Sequence, residues 1–577
     1  MSKLLKKIEN ELKKSVSESI HCREWRSSIV IEGEVDSWDK VIEAGKTAAK
    51  RGYKGVVNRV VVKGLELPGI KSPSINDFSL QDKRVDVLII GGGIIGCSIA
   101  RELSKWNISV LLAEKEDDLA MHASSRNDGM VHPGIEPKPG TKKAYFNVKG
   151  NDMYTRVADE LDIPLRRSGS LVVYDNYWLK FIYPLFERRA KQNGVKGIRH
   201  LSRAEVKSRE PHIADNIVGG LLFPSTAVLS PYKLTIAYGE NAMMNGVEVS
   251  LNTVVQSMTL EGNRISTVKT NRGTIYPKVV INAAGVYSDK IADMANDQFF
   301  TIHPRKGQVI LVDNKRGGLV TSVIGKPSFI NVKGVTKGGG IVKTIEDNIL
   351  VGPDAYEQPY REDYSTNREN IQNIIKKHFP IIPALSPADI ITYFAGIRAS
   401  TYEEDFVIEK SEYVRNLIHS AGIQSPGLAS APAIAEEVER LTCEVLKEFS
   451  EVKPKEGWNP IRKGIPELHK MSAEERNQYI KARPDYGVII CRCEEISKGE
   501  IIDAIRSPIP CHTVDGIKRR VRAGLGRCQG GFCLPHVLKL IQSESGVKMT
   551  EVTKKGNASY ILTGETKAGS DMQEVAK

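Results

Sequence analysis

Runs of apolar and polar residues predict that the chain begins with a small α/β unit, residues 1–64. A charged amphipathic helix is followed by an alternating strand, "SSIVIEGEV" (27–35), a helix, "SWDKVIEAGKTAAKRG" (37–52), and a strand, "GVVNRVVVKG" (55–64). Strict alternation indicates a half-buried strand, and apolar residues three or four apart indicate a helix. Residues 65–84 contain two prolines and several serines without periodicity and are predicted to be a linker.

The pattern changes at Arg84, where "RVDVLIIGGGIIGCSIARELSKWNISVLLAEKE" predicts an apolar strand, a glycine turn, a helix and a second apolar strand. The spacing Gly91-x-Gly93-x-x-Gly96 lets the chain turn tightly, approach a pyrophosphate and pack the helix on the sheet. Glu114 follows Gly96 by 18 residues, where a carboxylate accepts hydrogen bonds from an adenosine ribose. These features together predict a dinucleotide-binding domain.

Three later segments favour a flavin over a nicotinamide dinucleotide. Residues 117–151 form a loop rich in Gly, Pro, Ser, Arg and His, where a nicotinamide enzyme would continue with further βαβ units. "YPKVVINAAGVYSDKIADM" (276–294) is an apolar strand that ends in Ala-Ala-Gly before a helix. In "LIHSAGIQSPGLASAPAIAEEV" (417–438), a glycine-rich turn precedes a long helix whose positive N-terminus would face an anionic flavin ring.

At these positions, residues 85–450 resemble the D-amino-acid-oxidase-like superfamily of FAD enzymes. The fragments "SSRNDGMVHPG" and "AGIQSPGLASAPA" resemble the branch of FAD-dependent glycerol-3-phosphate dehydrogenases and L-2-hydroxyglutarate oxidoreductases. The resemblance implies a Rossmann-like FAD-binding domain with an inserted mixed-sheet substrate domain. The residues that it assigns to FAD are Gly91, Gly93, Gly96, Glu114, Ser124, Ser125, Gly285, Gly422 and Gly427.

Four cysteines near the C-terminus have the spacing of a metal centre. Cys491-x-Cys493 is followed, after 34 residues, by Cys528-x4-Cys533. Structural zinc prefers Cys-x2-Cys pairs, whereas thiolates also suit iron–sulfur chemistry. The segment resembles the bacterioferritin-associated-ferredoxin-like domain, which implies a [2Fe–2S] cluster; structural zinc and free thiols are the alternatives. The five basic residues in "KRRVRAGLGR" (518–527) would favour the reduced cluster and recruit an acidic partner.

The predicted fold is therefore multidomain, of the α/β and α+β classes. Residues 1–64 resemble a BON domain, a type found in proteins that bind membranes or other proteins. The C-terminal iron–sulfur domain is expected to be small and mainly helical. The predicted divisions are 1–64, the linker 65–84, the oxidoreductase 85–450, a second linker 451–485, the iron–sulfur domain 486–545 and a tail 546–577.

The composition indicates the cellular compartment of the protein. Eight cysteines in 577 residues are too few for a disulfide scaffold. The charged N-terminus lacks the apolar core of a signal peptide, and no stretch has 18 uninterrupted apolar residues. These features predict a cytoplasmic protein, with peripheral attachment to the inner face of the membrane as an open option. The net charge of +12 attracts anionic partners in general but selects none.

The resemblance also implies a reaction at the flavin. Oxidation of an alcohol requires a hydride acceptor, a base for the hydroxyl proton and cations for an anionic substrate. His132 is the candidate base, and Arg398 in "FAGIRASTYEEDFVIE" is the candidate bidentate anion clamp. Ala399 stands where the family has proline, which leaves the backbone setting of Arg398 open. Further candidates for substrate binding are Arg126, Arg305 and Lys306.

The favoured reaction is oxidation of sn-glycerol 3-phosphate to dihydroxyacetone phosphate, with electrons leaving through the [2Fe–2S] cluster to electron-accepting protein subunits. L-2-hydroxyglutarate is the alternative substrate, because the same loop suits both enzymes of the branch. Flavin-dependent tRNA modification and a non-catalytic redox sensor are alternatives of other classes. The basic residues are spread along the chain and no RNA-binding module is recognisable, so no nucleic acid partner is expected.

Overall fold

The structure is a computed structural model that describes residues 2–50, 52–181, 183–326 and 339–564. The described residues divide into two compact units. The first unit comprises residues 2–115 and 120–461, and the second comprises residues 116–119 and 462–564. Among the described residues, every helix is too short or too polar to span a lipid bilayer.

The N-terminal residues of the first unit form a helix-covered sheet in the order β1-β2-β3. The predicted helices and both predicted strands are present. A further strand, β1, lies between the first helix and the two predicted strands. Its sequence, "HCREW", exposes four of its five residues and so lacks a clear alternating pattern. The BON resemblance stays a prediction. The elements are α1 (Lys3–Ser15), β1 (His21–Trp25), β2 (Ser28–Val35), α2 (Trp38–Ala48) and β3 (Val56–Val62).

The central part of the chain adds two larger sheets and the helices that cover them. The first half contains β4 (Lys83–Ile90), α3 (Ile94–Leu103), β5 (Val110–Ala113), β6 (Met130–Val131), α4 (Lys142–Leu161), β7 (Leu165–Arg166), β8 (Ser170–Tyr174), α5 (Tyr183–Gln192), β9 (Arg199–Ser202), α6 (Arg203–Arg209), β10 (Gly219–Phe223), β11 (Ala227–Leu229), α7 (Pro231–Met244) and β12 (Glu248–Ser250). The second half contains β13 (Val255–Glu261), β14 (Arg264–Thr270), β15 (Gly273–Asn282), α8 (Ser288–Met294), β16 (Ile302–Val312), β17 (Val323–Gly325), β18 (Gly340–Lys343), β19 (Ile349–Gly352), β20 (Tyr356–Glu357), α9 (Arg368–His378), β21 (Ile390–Thr401), β22 (Val407–Lys410), β23 (Leu417–Ala421) and α10 (Gly427–Leu446).

One of these sheets, in the order β12-β5-β4-β15-β14-β13, has the Rossmann-like arrangement that was predicted. β4 pairs in parallel with β5 and β15, and β23 pairs in parallel with β15. The apolar strands are buried on both faces, as parallel strands between helices are. Their carboxyl ends therefore meet at one edge, where Gly91, Glu114 and Ala283 follow the strands.

The other large sheet corresponds to the predicted substrate domain, and its strands run in both parallel and antiparallel directions. Its longest pair is β16 with the edge strand β21, and the two strands are antiparallel. This register puts Arg305 opposite Arg398 and Gly307 opposite Gly396. Directly opposed residues of an antiparallel pair project from the same face, so both arginines start from one side of the sheet.

The second unit is small and mainly helical, as the resemblance implied. Its apolar core includes Cys491 and Cys533 and residues from each of its last three helices. The predicted linker 451–485 contains a helix and contributes residues to both units, and the predicted tail contributes buried Val552. Residues 565–577 lie outside the described residues. The elements are α11 (Ala473–Ala482), β24 (Ile489–Cys491), β25 (Ile496–Ser497), α12 (Lys498–Ile505), α13 (Val514–Val521) and α14 (Leu534–Ser545).

The N-terminal sheet packs on the strand that carries Arg398, through Tyr402 at its end. Tyr402 belongs to the apolar core of the N-terminal residues, and its ring stacks on His303 at 4.5 Å. A Cβ added at Gly45 would lie 2.2 Å from that ring. We expect Gly45→Ala to lower the free energy of unfolding by about 1–2 kcal/mol, because overpacking outweighs the gain of about 1 kcal/mol in helix propensity. The midpoint of thermal unfolding measures this change.

Gly318→Ala is the matched control, because a Cβ there would meet nothing within 4 Å. Equal unfolding midpoints for the two variants would contradict the close packing of Gly45 against Tyr402.

Candidate active site and cysteine centre

A cavity in the first unit opens at the carboxyl edge of the Rossmann-like sheet and continues towards β16 and β21. It brings together residues that the sequence places more than 300 positions apart. Of the residues predicted to bind FAD or substrate, five lie outside the lining: Gly96, Ser125, Arg305, Lys306 and Gly422. The predicted residues that do line it are Gly91, Gly93, Glu114, Ser124, Arg126, His132, Gly285, Arg398 and Gly427.

The glycine turn after β4 has the close backbone contacts that the motif predicts. A Cβ at Gly96 would lie 1.9 Å from the carbonyl oxygen of Gly91, so only glycine fits there. The N–H of Gly92 donates to Glu114 Oε2 at 2.6 Å, and the N–H of Ile94 donates to Ser124 Oγ at 2.8 Å. The turn is thereby held by the end of β5 and by the next loop. This bare backbone at a helix N-terminus fits the pyrophosphate of FAD.

The remaining predicted cofactor residues lie at turns around the same edge. Gly285 has φ +54° and would meet no atom within 4 Å if it carried a Cβ, so its surface faces open space. Gly427 begins α10, and the N-terminus of this 20-residue helix lines the cavity. Its positive end favours a negatively charged group. Gly422 and Ser125 lie behind the lining, where the Ser125 hydroxyl donates to the carbonyl of His122.

Arg398 reaches the cavity from β21, and some of its N–H donors have no hydrogen-bond partner among the described residues. Its Nη2 donates to the carbonyl of Asp354 at 3.4 Å, while its buried Nη1 has no hydrogen-bond partner among the described residues. Burial and the neighbouring charge of Arg305 lower the pKa of Arg398. A buried guanidinium with an unused donor fits an anionic ligand, because leaving such a donor unpaired is costly.

Arg305, opposite Arg398, is neutralised instead. It is 2 % exposed and pairs with Glu357 at 2.9 Å and Glu404 at 2.5 Å. Although burial opposes it, the hydrogen bond and charge of Arg305 lower the pKa of Glu404 to about 2. Lys306 points to the other face of β16 and contacts Asp363 at 2.9 Å. Both cations were predicted to bind substrate, and both are engaged in ion pairs outside the cavity lining.

His132 follows β6, in the loop that borders the cavity. Its backbone carbonyl accepts hydrogen bonds from Asn147 Nδ2 at 2.7 Å and Asn151 Nδ2 at 2.9 Å, both from α4. Two buried amides therefore fix the position of this residue. Its half-buried imidazole lines the cavity, and no hydrogen bond joins it to another described residue. The imidazole is thus available to a ligand. Arg126 lines the same cavity, with its guanidinium 4.2 Å from the ring of Tyr364.

Two residues of the site were missed by sequence reasoning. His122 lines the cavity and hydrogen-bonds Tyr364 through Nδ1; the only signal was a second histidine in the loop of His132. Gly307 lies beneath the guanidinium of Arg398, and a Cβ there would be 2.6 Å from its Nη2. A glycine inside an apolar strand marks such a close approach, so "HPRKGQVILV" carried a usable signal.

The four predicted metal ligands converge in the second unit. Cys491 and Cys533 are buried, Cys493 and Cys528 are half-buried, and the sulfurs of Cys493 and Cys528 are 3.3 Å apart. The Cys533 thiol, helped by the N–H groups of Gly524 and Glu494, lowers the pKa of Cys491 to about 5. The N–H of Phe532 is the main cause that lowers the pKa of Cys528. Four sulfurs with backbone donors around them fit an iron–sulfur cluster.

The basic segment beside these cysteines is partly neutralised. Arg519 and Arg520 pair with Asp118 at 2.6 and 2.9 Å, and Arg522 pairs with Glu494 at 2.8 Å. The sequence suggested a uniformly positive surface here because all of the compensating carboxylates lie outside the segment. The structure therefore leaves less free positive charge near the cluster ligands than the segment alone indicates.

Comparisons with known proteins agree with this geometry. Residues 86–441 match the family model described as FAD dependent oxidoreductase, and residues 489–543 match that of the BFD-like [2Fe-2S] binding domain. A glycerol 3-phosphate dehydrogenase of Caloramator mitchellensis is 42% identical over 84% of this chain and 99% of its own length. An L-2-hydroxyglutarate dehydrogenase of Indibacter alkaliphilus is 29% identical over 63% of this chain and 99% of its own.

Among solved structures, the FAD-bound L-alpha-glycerophosphate oxidase of Mycoplasma pneumoniae aligns with a TM-score of 0.60 and 28% identity. The alignment covers 66% of this chain and 98% of that one. The predictions of an FAD enzyme fold, of FAD and of a [2Fe–2S] domain are confirmed. The chain belongs to the family of FAD dependent oxidoreductases and carries, in its second unit, a BFD-like [2Fe–2S] binding domain.

Proposed function

We propose that the protein is a dehydrogenase that oxidises sn-glycerol 3-phosphate to dihydroxyacetone phosphate. The observation that carries this proposal is the buried Nη1 of Arg398, which has no hydrogen-bond partner among the described residues, in the cavity that His132 also lines. The similarity to glycerol 3-phosphate dehydrogenase over most of the chain supports the choice of substrate.

The chain's own residues bind the substrate and take its proton. Arg398 binds the phosphate through two parallel N–H donors, which a planar guanidinium presents in fixed geometry. His132 accepts the hydroxyl proton, since its imidazole has no competing partner among the described residues. When bound, FAD supplies the hydride acceptor and the [2Fe–2S] cluster a one-electron carrier.

Arg305 serves to position the site rather than to touch substrate, whereas Lys306 is engaged with Asp363 and Ser365 away from the cavity lining. Arg305 Nη1 donates to Gln424 Oε1 at 3.2 Å, and Gln424 Nε2 donates to Glu404 at 2.7 Å. Gln424 lines the cavity immediately before α10. The ion pair of Arg305 and Glu404 therefore holds Gln424, and with it the turn at the N-terminus of α10.

L-2-hydroxyglutarate is the second candidate substrate, supported by the relative that acts on it. Its carboxylates suit Arg398 as well as a phosphate does. Titrating the holoenzyme without oxygen distinguishes the two substrates, because the productive one bleaches the flavin absorbance. We expect bleaching by glycerol 3-phosphate. Bleaching by the hydroxy acid alone would overturn the substrate and keep the residue roles, and bleaching by neither would favour the tRNA-modifying or sensor alternatives.

The electron acceptor is proposed to be a protein that docks beside Cys493 and Cys528. Phe532, next to the ligand Cys533, is 72 % exposed, and an exposed aromatic at such a position suits a partner surface. The cytoplasmic location remains a prediction.

Replacing Cys528 with serine is expected to abolish the cluster while FAD is retained, because the two sites belong to different units. Iron analysis and the visible spectrum of anaerobically purified protein measure both cofactors. Cys511→Ser is the matched control, since Cys511 is a buried thiol of the same unit without ligand spacing. Loss of both cofactors from Cys528→Ser would contradict their independence, and stoichiometric zinc without iron in the parent protein would contradict the cluster.

A further inference from the structure

The segment between β8 and β9 presents large apolar side chains to solvent. Tyr177, Trp178, Phe181 and Leu185 are 65, 76, 73 and 65 % exposed, all within nine residues of one another. Apolar residues scattered singly over a surface are normal, but exposed apolar side chains that lie together mark an interaction site, and the rings of Trp178 and Phe181 are in contact. None of the four lines the cavity formed by the described residues, so the proposed reaction does not use them.

The segment is folded in a way that keeps these side chains outward. Tyr183 and Ala190, on the inner face of α5, are buried in a core cluster that also contains Tyr174. The rings of Tyr174 and Tyr183 are 4.8 Å apart. The inner face of the helix is thus already packed, while the rings of Trp178 and Phe181 lie 5.9 Å apart on the exposed side. The outward apolar group is therefore built into the fold.

Basic residues predominate within this apolar group and directly after it in the sequence. Residues 176–199 contain six basic residues and one acidic residue. The single acid, Glu187, is already paired with Lys191 at 2.6 Å and with His200 at 2.7 Å. Exposed basic side chains lie among the aromatic residues and on their C-terminal side, namely Lys180, Arg188, Lys191, Lys196 and Arg199. Asp175, which precedes the aromatic residues, is paired with Lys326 at 2.5 Å.

We propose that this aromatic–basic segment docks the protein on an anionic lipid bilayer. Trp and Tyr insert at the headgroup level, where the ring is buried while its polar N–H or O–H stays in water. Phe and Leu bury their apolar surface at the same boundary. Lys and Arg side chains bind anionic headgroups from the same level. The excess of exposed Lys and Arg around a single acid that is already paired favours a uniformly anionic surface, which a bilayer of anionic lipids presents.

The docking segment is hydrogen-bonded to a loop that lines the cavity. Arg189 Nε donates to the carbonyl of Pro137 at 3.1 Å, and Asn193 Nδ2 donates to the carbonyl of Gly134 at 2.8 Å. These bonds join the segment to the loop that continues from His132. Insertion of the aromatic group would hold this face of the first unit against the membrane surface.

The test is co-sedimentation of the holoenzyme with phosphatidylcholine vesicles prepared with and without phosphatidylglycerol. We expect binding to the anionic vesicles, weakened by high salt, with a blue shift of tryptophan emission. Trp178→Ser/Phe181→Ser should weaken binding about tenfold or more, because interfacial affinity scales with buried apolar area. Lys180→Glu/Arg188→Glu should weaken binding to anionic vesicles by a similar factor, because it reverses the charge that attracts the headgroups.

The matched control is Val61→Ser/Phe78→Ser, which removes two apolar side chains that are 56 and 82 % exposed elsewhere on the first unit. This control should bind as the parent protein does. All variants should keep the parent's flavin spectrum and substrate-dependent bleaching in solution, which separates loss of docking from misfolding. Absence of binding to anionic vesicles, or equal binding by the aromatic and control variants, would overturn the proposal. So would a solution dimer that only the aromatic variant loses, since that result would assign the surface to a second copy of the chain.

Discussion

Replacing Arg398 with alanine is expected to weaken binding of glycerol 3-phosphate by about 2–5 kcal/mol, or roughly 30-fold to several thousand-fold in Kd. The guanidinium has only a long bond to Asp354 within the described protein, so its main partner is expected to be the substrate anion. Its loss should cost little stability for the same reason. Anaerobic titration followed at the flavin absorbance measures Kd directly.

Arg398→Lys tests whether the fork geometry matters in addition to the charge. Lysine is a point charge and cannot make two parallel hydrogen bonds. The Kd of Arg398→Lys for glycerol 3-phosphate should therefore fall between those of the parent protein and Arg398→Ala. Arg203→Ala, at an exposed arginine on the same domain, is the control and should leave Kd unchanged. A Kd for Arg398→Ala equal to that of this control would remove Arg398 from the substrate site.

Replacing His132 with asparagine is expected to slow reduction of the flavin by glycerol 3-phosphate by about 10²- to 10⁴-fold, the usual effect of losing a general base. Substrate binding should change much less, because Arg398 still holds the anion. Rapid mixing without oxygen separates the two quantities, since the rate at saturating substrate reports the chemical step.

His122→Asn is the informative comparison, because His122 is a second imidazole at the same cavity. Its ring is already hydrogen-bonded to Tyr364, whereas that of His132 has no partner among the described residues. A mild effect is therefore expected for His122→Asn. If His122→Asn proves the slower variant, the base has been assigned to the wrong histidine.

Local motifs were predicted well because their physical constraints act within a few residues. The glycine turn at Gly91 needs bare backbone whatever the rest of the chain does, and its strand and helix follow directly. The spacing of the two cysteine pairs likewise indicates a metal centre. β1 was missed because most of its side chains are exposed, so burial gave it no alternating pattern.

The roles of individual cations could not be predicted in this way. Arg305 and Arg398 lie opposite each other on adjacent strands, and both were candidates for substrate binding. The difference between them comes from Glu357 and Glu404, which follow Arg305 by 52 and 99 residues and neutralise it. No local pattern reports which carboxylate will reach a given guanidinium.

The sequence by itself thus determined the chain's two cofactor classes and the family of its fold, because each rests on a short motif with its own backbone or donor requirement. Only the tertiary structure decided which side chains face the substrate. Among the described residues, it left Arg398 with an unused donor beside Gly307, engaged Arg305 and Lys306 in ion pairs, and added His122 to the cavity. The physical reason is that the charge and hydrogen bonds available at a site depend on neighbours that only folding brings together.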